Sequence, residues 1–337
     1  MEKFTMDSFN IYTQSDVLAL TNQRDGEVKL GEKILTVSNL DEIEKSNAKF
    51  VLLGIPEDIG VRANLGVAGA KTAWLAALKS LLNMQSNNFL VGDEILVLGH
   101  FEIDEPTDTS LQGLREKVNQ IDALVYPIIQ KIVSVGKIPI VIGGGHNNAF
   151  PIISGTSMGK GNKKMNVVNI DAHADLRNRA EGRHSGNSFS TAIGSGYLNQ
   201  YQIFGLQQNY VNQNLADEIA ASPNIKAFYF EDLLQSQKSI VENFTAFTAN
   251  LKEPCGLEID LDGIENVLSS AQTSSGFGLN EIRKILMANT KNYSYLHICE
   301  GATELADGRK DSKTGKTIAY LVSDFVKALR PRIYQQP

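Results

Sequence analysis

The chain has 337 residues, of which 42% are hydrophobic and 21% are charged, and 32 basic and 38 acidic side chains give a net charge of −6 at pH 7. This composition is typical of a folded globular protein, and it excludes collagen-like, disordered and disulfide-scaffold chains. An acidic balance without a long basic cluster argues against a nucleic-acid partner. The start of the chain lacks a signal-peptide pattern, and no apolar run approaches the roughly 20 residues of a membrane span. We therefore expect a cytoplasmic protein with no membrane partner.

Short, continuously apolar runs alternate along the chain with longer amphipathic stretches. The runs predict strands covered on both faces, at residues 50–55, 95–98, 138–142, 166–170, 202–206, 226–230, 256–261 and 295–299. The stretches between them predict helices, at residues 69–84, 111–135, 214–221, 238–251, 279–289 and 317–329. This alternation predicts an α/β protein whose central, mostly parallel sheet has helices on both sides.

The organisation of the chain points to one domain preceded by an extension. Residues 1–48 are less regularly patterned and are predicted to form an N-terminal extension, whereas residues 49–337 form a single domain. The only cysteines, Cys255 and Cys299, lie in apolar segments, which favours free buried thiols over a disulfide.

Three of the predicted strands end in clusters of imidazole and carboxylate side chains. The segments IPIVIGGGH, NVVNIDAHAD and GLEIDLDGI supply, in this order, His146, then Asp171, His173 and Asp175, then Asp260 and Asp262. In extended backbone, residues at i, i+2 and i+4 point to the same side. Because the carboxyl ends of parallel strands lie at one edge of the sheet, the three clusters are expected to meet there.

Four carboxylates buried together need a compensating positive charge. Two divalent cations would supply four positive charges, and two neutral imidazoles would complete the ligand set. Oxygen-rich ligation with two nitrogens suits Mn²⁺ better than a structural zinc ion. A single Asp-x-Asp or Gly-Gly-Gly-His is more often a turn, but the three clusters together predict two Mn²⁺ ions per chain.

These motifs resemble the metal-binding signatures of a known enzyme family. GGGHNN from Gly143, NIDAHADLR from Asn169 and EIDLDGIEN from Glu258 are similar to the three signatures of the ureohydrolases, which comprise arginase, agmatinase, guanidinobutyrase and formimidoylglutamase. GIPEDIGVRANLGVAGA from Gly54 resembles the family's N-terminal strand and loop. The resemblance extends to about Leu305 and implies a three-layer arginase-like fold, with a trimer or hexamer as a possible assembly.

The resemblance also implies a role for each cluster residue. It assigns His146 and Asp175 to one Mn²⁺ and His173 and Asp262 to the other, with Asp171 and Asp260 bridging both.

The resemblance further implies the reaction. A water shared by the two ions would lose a proton near neutral pH and attack the planar carbon of a guanidino or formimino group. Asp175 would carry the proton to the leaving amine. Glu300, in YLHICEGATEL, would hold the cationic C–N group, and Glu304 is the alternative. The expected partner is therefore a small molecule that carries such a group.

The sequence departs from the family pattern in two segments. Glu258 stands where the third signature usually begins with serine, and Glu265–Asn266 replace a following Asp-Pro. In the loop RHSGNSFS, Ser185 occupies the position of the proton-shuttle histidine of arginases and agmatinases. His184, one place earlier, is therefore either a catalytic residue or a surface residue.

The same loop favours formimidoylglutamase within the family. Its Ser-Gly-x-x-Phe pattern, together with DAHADLR, resembles that enzyme more than arginase, and Ser185 and Asn187 are predicted to contact the substrate. A substrate with two carboxylates needs cations, and guanidinium groups pair with carboxylates through two hydrogen bonds. Arg177 and Arg62 are the predicted partners, and Arg179 and Arg183 lie in the same loop as Arg177.

The sequence thus predicts a binuclear hydrolase that converts N-formimino-L-glutamate to glutamate and formamide. Arginase or agmatinase activity, with urea as a product, is the alternative, and so is a catalytically silent metal-binding subunit. A nucleotide site at Gly143–Gly145 is disfavoured because neither G-x-G-x-x-G nor a P-loop lysine is present. His100 and His297 are predicted to be structural.

Overall fold

A sheet of mostly parallel strands forms the middle layer of the fold. Within residues 8–330, which the computed structural model describes, nine strands form this sheet. In chain order they are β1 (Phe9–Ile11), β2 (Phe50–Gly54), β3 (Ile95–Phe101), β4 (Ile138–Ile142), β5 (Met165–Ile170), β6 (Leu198–Leu206), β7 (Ile225–Tyr229), β8 (Cys255–Asp260) and β9 (Tyr293–Cys299). Their order across the sheet is β1-β3-β2-β4-β9-β8-β5-β6-β7, and the β1–β3 pair is antiparallel.

The helices cover the two faces of the sheet. They are α1 (Gln14–Ala19), α2 (Ile59–Ala63), α3 (Ala73–Leu82), α4 (Leu111–Ser134), α5 (Ala149–Gly159), α6 (Ser188–Gly194), α7 (Gln213–Ala221), α8 (Phe230–Gln235), α9 (Ile240–Thr248), α10 (Leu279–Met287) and α11 (Thr314–Ala328). None of the helices within residues 8–330 is long and apolar enough to cross a membrane.

Most strands contribute side chains to two separate cores, which explains the continuously apolar runs. In β2, Phe50 and Leu52 pack into a core with α3 and α11, whereas Val51 and Leu53 pack into a core with α4 and α5. Side chains alternate between the faces of a strand, so a strand that is covered on both faces must be apolar throughout. The three-layer α/β architecture predicted from the sequence is confirmed.

The eight predicted strands are all present, with ends that shift by at most four residues. The six predicted helices are also present, but β1, α1, α2, α5, α6 and α8 were missed. Helix α5 lacks an amphipathic pattern because it is buried on nearly every side, between α4 and the sheet. The other missed elements have three to seven residues, too few for a periodic pattern to emerge.

The part of the predicted N-terminal extension that the structure describes packs on the same sheet. Phe9 pairs with Phe101 at the antiparallel edge, and Leu30 and Ile34 are buried in the core beside α3. The boundary between residues 48 and 49 stays a prediction. Cys255 and Cys299 are both free and buried, as the sequence predicted.

Candidate metal centre

Four neighbouring strands bring the predicted ligands to one edge of the sheet. Strands β4, β9, β8 and β5 are adjacent and parallel, so their carboxyl ends emerge side by side. After β4 the chain turns through Gly143 and Gly144, whose φ angles of +89° and +75° favour glycine. A Cβ at Gly144 would lie 2.2 Å from the Asn148 amide, so this turn has no room for a side chain. The turn delivers His146 to the edge of the sheet.

His146 lies among three carboxylates. Its Nδ1 atom is 2.9 Å from Asp175 Oδ2, 3.0 Å from Asp260 Oδ2 and 3.3 Å from Asp171 Oδ2. Asp175 has a φ of +50°, a left-handed conformation that is uncommon for a residue with a side chain. Backbone strain of this kind is found where the surrounding structure fixes a functional side chain.

A second cluster shares one residue with the first. His173 Nδ1 is 3.2 Å from Asp262 Oδ2 and 3.6 Å from Asp171 Oδ1. The two oxygens of Asp171 therefore face the two histidines, Oδ2 toward His146 and Oδ1 toward His173. The structure thus brings all six predicted ligands together, as two groups that meet at Asp171.

The chemistry of these groups fits a pair of divalent cations. Both ring nitrogens of His146 and the Oδ1 atom of Asp262 are buried without a hydrogen-bond partner. Burial and the neighbouring Asp262 and Asp171 carboxylates raise the pKa of Asp260 well above its usual value. Burial likewise raises the pKa of Asp262, to about 6. Cations would relieve this repulsion and satisfy the unpaired atoms, and carboxylate oxygens with imidazole suit Mn²⁺.

Hydrogen bonds hold Asp171 between the two ligand groups. Asp171 Oδ2 accepts a hydrogen bond of 2.8 Å from the Asn169 amide, and its Oδ1 accepts one of 2.7 Å from the His173 backbone N–H. On β8, Asp260 Oδ1 accepts one of 2.8 Å from the Asp262 backbone N–H. These bonds hold the carboxylates in place without requiring a cation.

Glu57 braces the loop that carries His146, a role that the sequence analysis missed. Its carboxylate is buried and accepts hydrogen bonds from the Gly145 N–H at 2.9 Å and the Asn148 amide at 2.7 Å. It also accepts bonds from the Asn147 amide and the Gly60 N–H, at 3.2 and 3.1 Å. The acidic residue in the GIPED segment was the available signal, but its partners in the His146 loop are about 90 residues away along the chain.

A cavity of about 820 Å³ is lined by Glu300 and by four of the six ligands, His173, Asp175, Asp260 and Asp262. The backbone N–H of His146 donates a hydrogen bond of 2.8 Å to Glu300 Oε1. Burial and the nearby Asp260 raise the pKa of Glu300 well above its usual value. Glu304, the alternative candidate, is instead exposed and paired with Lys310 at 2.9 Å, outside the cavity.

Two of the predicted substrate-binding residues reach this cavity. Ser185 and Arg177 line its wall. Arg177 pairs with Glu181 at 2.8 Å and donates a hydrogen bond of 3.0 Å to Asn64 Oδ1. Tyr210, which the sequence analysis missed, also lines the cavity and stacks on the His173 ring with 4.7 Å between the centroids. No sequence motif marks this tyrosine.

The other two predicted substrate-binding residues do not reach the cavity. Arg62 is ion-paired with Asp58 at 3.1 Å and with Glu105, outside the cavity lining. Asn187 is buried and accepts a hydrogen bond of 2.8 Å from Arg183. Both side chains are occupied by local partners, which the sequence could not reveal.

His184 is likewise separated from the cavity. It is fully buried, its Nδ1 accepts a hydrogen bond of 3.1 Å from the Gly186 N–H, and its Nε2 lies 3.4 Å from Glu181. Burial lowers the pKa of His184 to about 4, so the ring is neutral near pH 7. Its neighbour Arg183 is also buried and pairs with Asp122. The geometry thus gives His184 a role in the packing of the loop.

The fold and the site together define an α/β protein with a candidate centre for two divalent cations at the carboxyl edge of its sheet. A sequence model described as the arginase family matches residues 48–326. The chain belongs to the arginase family.

The chain is similar in sequence to individual proteins named formimidoylglutamase. The chain is 29% identical over 237 residues to the formimidoylglutamase of Streptococcus gordonii, an alignment that covers 66% of each chain. With its counterpart from Streptococcus pyogenes serotype M3 it shares 29% identity over 192 residues, or 55% of each chain. The chain therefore matches somewhat less than two thirds of the length of these relatives.

Solved structures extend the similarity of fold over nearly the whole chain. The formiminoglutamase of Trypanosoma cruzi, crystallised with Mn²⁺₂, superposes with a TM-score of 0.70 over 90% of this chain and 100% of its own, at 18% identity. The formimidoylglutamase of Bacillus subtilis superposes with a TM-score of 0.74 over 91% and 94%, at 15% identity. These values confirm the arginase-like fold.

Proposed function

We propose that this protein is a Mn²⁺-dependent hydrolase that converts N-formimino-L-glutamate and water to L-glutamate and formamide. The observation that carries the proposal is the pair of ligand groups sharing Asp171, beside a cavity whose wall holds Glu300. The names of the relatives from streptococci, and of the structural neighbours, support the choice of substrate. The six ligands would be His146, Asp171, His173, Asp175, Asp260 and Asp262.

Different residues of this chain would have different roles in the reaction. Two cations held by the ligand groups would make a shared water acidic enough to attack near neutral pH. Glu300 binds the substrate, because its carboxylate can accept an N–H of the cationic formimino group and orient the planar carbon. Within residues 8–330, the only hydrogen bond to the Glu300 side chain is the one at Oε1, so Oε2 is available for this contact.

Asp175 is the proposed proton carrier. Its side chain lines the cavity and its Oδ2 atom faces His146. The carboxylate would accept the proton released by the water and pass it to the amine nitrogen of glutamate as the C–N bond breaks. The formimino carbon keeps the water oxygen and leaves as formamide, so atoms and charge balance.

Arg177 is the proposed anchor for a substrate carboxylate. Among the described residues, it is the only lysine or arginine that lines the cavity. Its present partners are Glu181 and Asn64, so binding of the substrate requires a change in the Glu181 pairing. Ser185 adds a hydroxyl to the same wall.

The charge of the cavity wall supports a second candidate function, the hydrolysis of a guanidino substrate. Glu181 and Glu218 line the cavity beside the single Arg177, so the wall has fewer cations than a substrate with two carboxylates would use. A guanidino substrate with one carboxylate, as in an arginase, fits this balance. The second candidate function is therefore hydrolysis of such a guanidine to urea and an amine.

Steady-state kinetics separate these functions. The protein loaded with Mn²⁺ is assayed with N-formimino-L-glutamate, arginine and agmatine, and release of formamide or urea is measured. The proposal predicts the highest kcat/KM for N-formimino-L-glutamate, with formamide as the product. A higher kcat/KM for arginine supports the second function, and two bound metal ions without turnover of any substrate support the silent subunit.

A further inference from the structure

His146 is held in one orientation from several sides. Its backbone N–H donates to Glu300, and its carbonyl accepts a hydrogen bond of 2.6 Å from the Ser188 hydroxyl. The edge of its ring meets the face of Phe189, with 5.1 Å between the centroids. In this orientation Nδ1 faces the carboxylates of the candidate centre, and Nε2 points to the opposite side, where it is buried without a hydrogen bond.

A buried acidic residue lies on that opposite side. Glu258 Oε2 is 3.6 Å from His146 Nε2, just beyond hydrogen-bond range. The same oxygen is 2.6 Å from His297 Nδ1, and Oε1 accepts a hydrogen bond of 2.7 Å from the Tyr295 hydroxyl. Glu258 and His297 are both completely buried.

The register of the sheet explains how this group forms. Glu258 pairs directly with His297 across the parallel strands β8 and β9. Residues two apart in a strand share a face, so Glu258 lies on the same face as Asp260, and Tyr295 on the same face as His297. The sheet therefore places a carboxylate directly beneath the proposed metal ligands.

The position of this carboxylate matters for a cation at His146. A cation at Nδ1 requires that nitrogen to be unprotonated, which leaves the proton of the neutral ring on Nε2. A buried N–H without an acceptor is unfavourable, because it loses the hydrogen bond that it makes with water when it is exposed. A carboxylate behind a metal-bound imidazole accepts this proton, fixes the orientation of the ring and makes it a better ligand.

We propose that Glu258 is a positioning residue: when a cation binds at Nδ1 of His146, the Glu258 carboxylate closes the remaining gap, accepts a hydrogen bond from Nε2 and holds Nδ1 toward the metal centre. This role rests on the proposed binuclear function. His297 contacts the same oxygen, Oε2, that faces His146, whereas Tyr295 donates to the other oxygen, Oε1, on the side away from His146. The position at which the sequence departs from the usual serine of the third signature thus acquires a specific function.

The experiment measures Mn²⁺ binding rather than turnover. Metal-free wild type and the Glu258→Gln variant are titrated with Mn²⁺ by calorimetry, and the spin-coupled signal of a Mn²⁺ pair is followed by electron paramagnetic resonance. Both imidazoles face Oε2 of Glu258, and the neutral amide would offer them either an N–H or an uncharged, weaker acceptor. We expect the affinity of the site that contains His146 to fall by about 10–100-fold, as for other residues behind metal ligands. The coupled signal should then appear only at higher Mn²⁺ concentration.

Tyr295→Phe is the matched control. It removes a hydrogen bond from Oε1 of the same carboxylate but leaves Oε2 facing His146. We expect Mn²⁺ affinity within about threefold of the wild type. Equal losses in the two variants would overturn the proposal, because general disturbance of the core would then explain both.

The remaining outcomes are distinguishable. If Glu258→Gln binds two Mn²⁺ ions as tightly as the wild type, this inference is wrong while the proposed function stands. If the wild type itself does not bind two ions, the proposed function fails. Should the variant not fold, a crystal structure of the Mn²⁺-loaded wild type decides: an Nε2–Oε2 distance of about 3 Å supports the proposal, and 3.6 Å or more overturns it.

Discussion

The buried ion pair between Arg183 and Asp122 offers a direct test of how the cavity wall is held. Arg183 Nε and Nη2 donate to the two Asp122 oxygens at 2.8 and 3.2 Å, and only 7% and 9% of the side chains are exposed. Arg183 also donates to Asn187 Oδ1 and to the Asn147 carbonyl, both at 2.8 Å. Arg183 thus connects the loop that carries Ser185 to Asp122 on α4 and to Asn147, the residue after His146.

The expected cost of breaking this pair is large. Asp122→Asn keeps the shape of the side chain but leaves the Arg183 guanidinium buried without its counter-charge, which costs about 3–5 kcal/mol. At roughly 2 °C per kcal/mol for a chain of this size, the thermal midpoint should fall by about 6–10 °C. The exposed pair between Asp41 and Lys131 is the control, and Asp41→Asn should cause no measurable change.

The assay is thermal unfolding of the metal-free proteins at one scan rate, combined with a double-mutant cycle. Asp122→Asn, Arg183→Met and the double variant should show a coupling of roughly 1–3 kcal/mol, because the double variant contains no uncompensated charge. If Asp122→Asn lowers the midpoint by less than 2 °C, or if the two changes are additive, the pair does not hold the loop and the reasoning is refuted.

Three further predictions concern the site. Asp171→Ala and Asp260→Ala should each lose both metal ions and activity, and a full metal content by elemental analysis would disprove the bridging assignment. His184 stays neutral in the folded chain down to about pH 4, whereas the unfolded chain takes up a proton below its usual pKa of 6.5. The free energy of unfolding should therefore fall between pH 6.5 and 4, and thermal midpoints should show a weaker fall in His184→Gln. Arg177→Ala should raise KM for N-formimino-L-glutamate by about 10–100-fold with a smaller change in kcat, and an unchanged KM would contradict the anchor role.

The strands and the six candidate ligands could be predicted because their signals are local. A strand such as Phe50–Gly54 lies between two cores and is apolar at every position. Asp171, His173 and Asp175 follow one another within five residues, so their convergence requires only that β5 ends before them. Chain order and sheet geometry then bring them to the ends of β4 and β8.

The walls of the site could not be predicted because each basic side chain has both near and distant acidic groups as candidate partners, and the sequence does not choose among them. Arg62, Arg177 and Arg183 look equivalent in the sequence, yet each has a different acidic partner. Arg183 pairs with Asp122, which lies 61 positions away, whereas Arg62 pairs with Asp58 at the base of its own helix. Only Arg177 reaches the cavity. Which cation faces a substrate therefore depends on tertiary packing.

Three distant segments are proposed to converge on a pair of cations. Anomalous diffraction from a crystal of the Mn²⁺-loaded wild type tests this convergence directly. We expect two anomalous peaks, one bounded by His146 and Asp175 and the other by His173 and Asp262, with Asp171 and Asp260 between them. A single peak, or peaks away from these residues, would contradict the account.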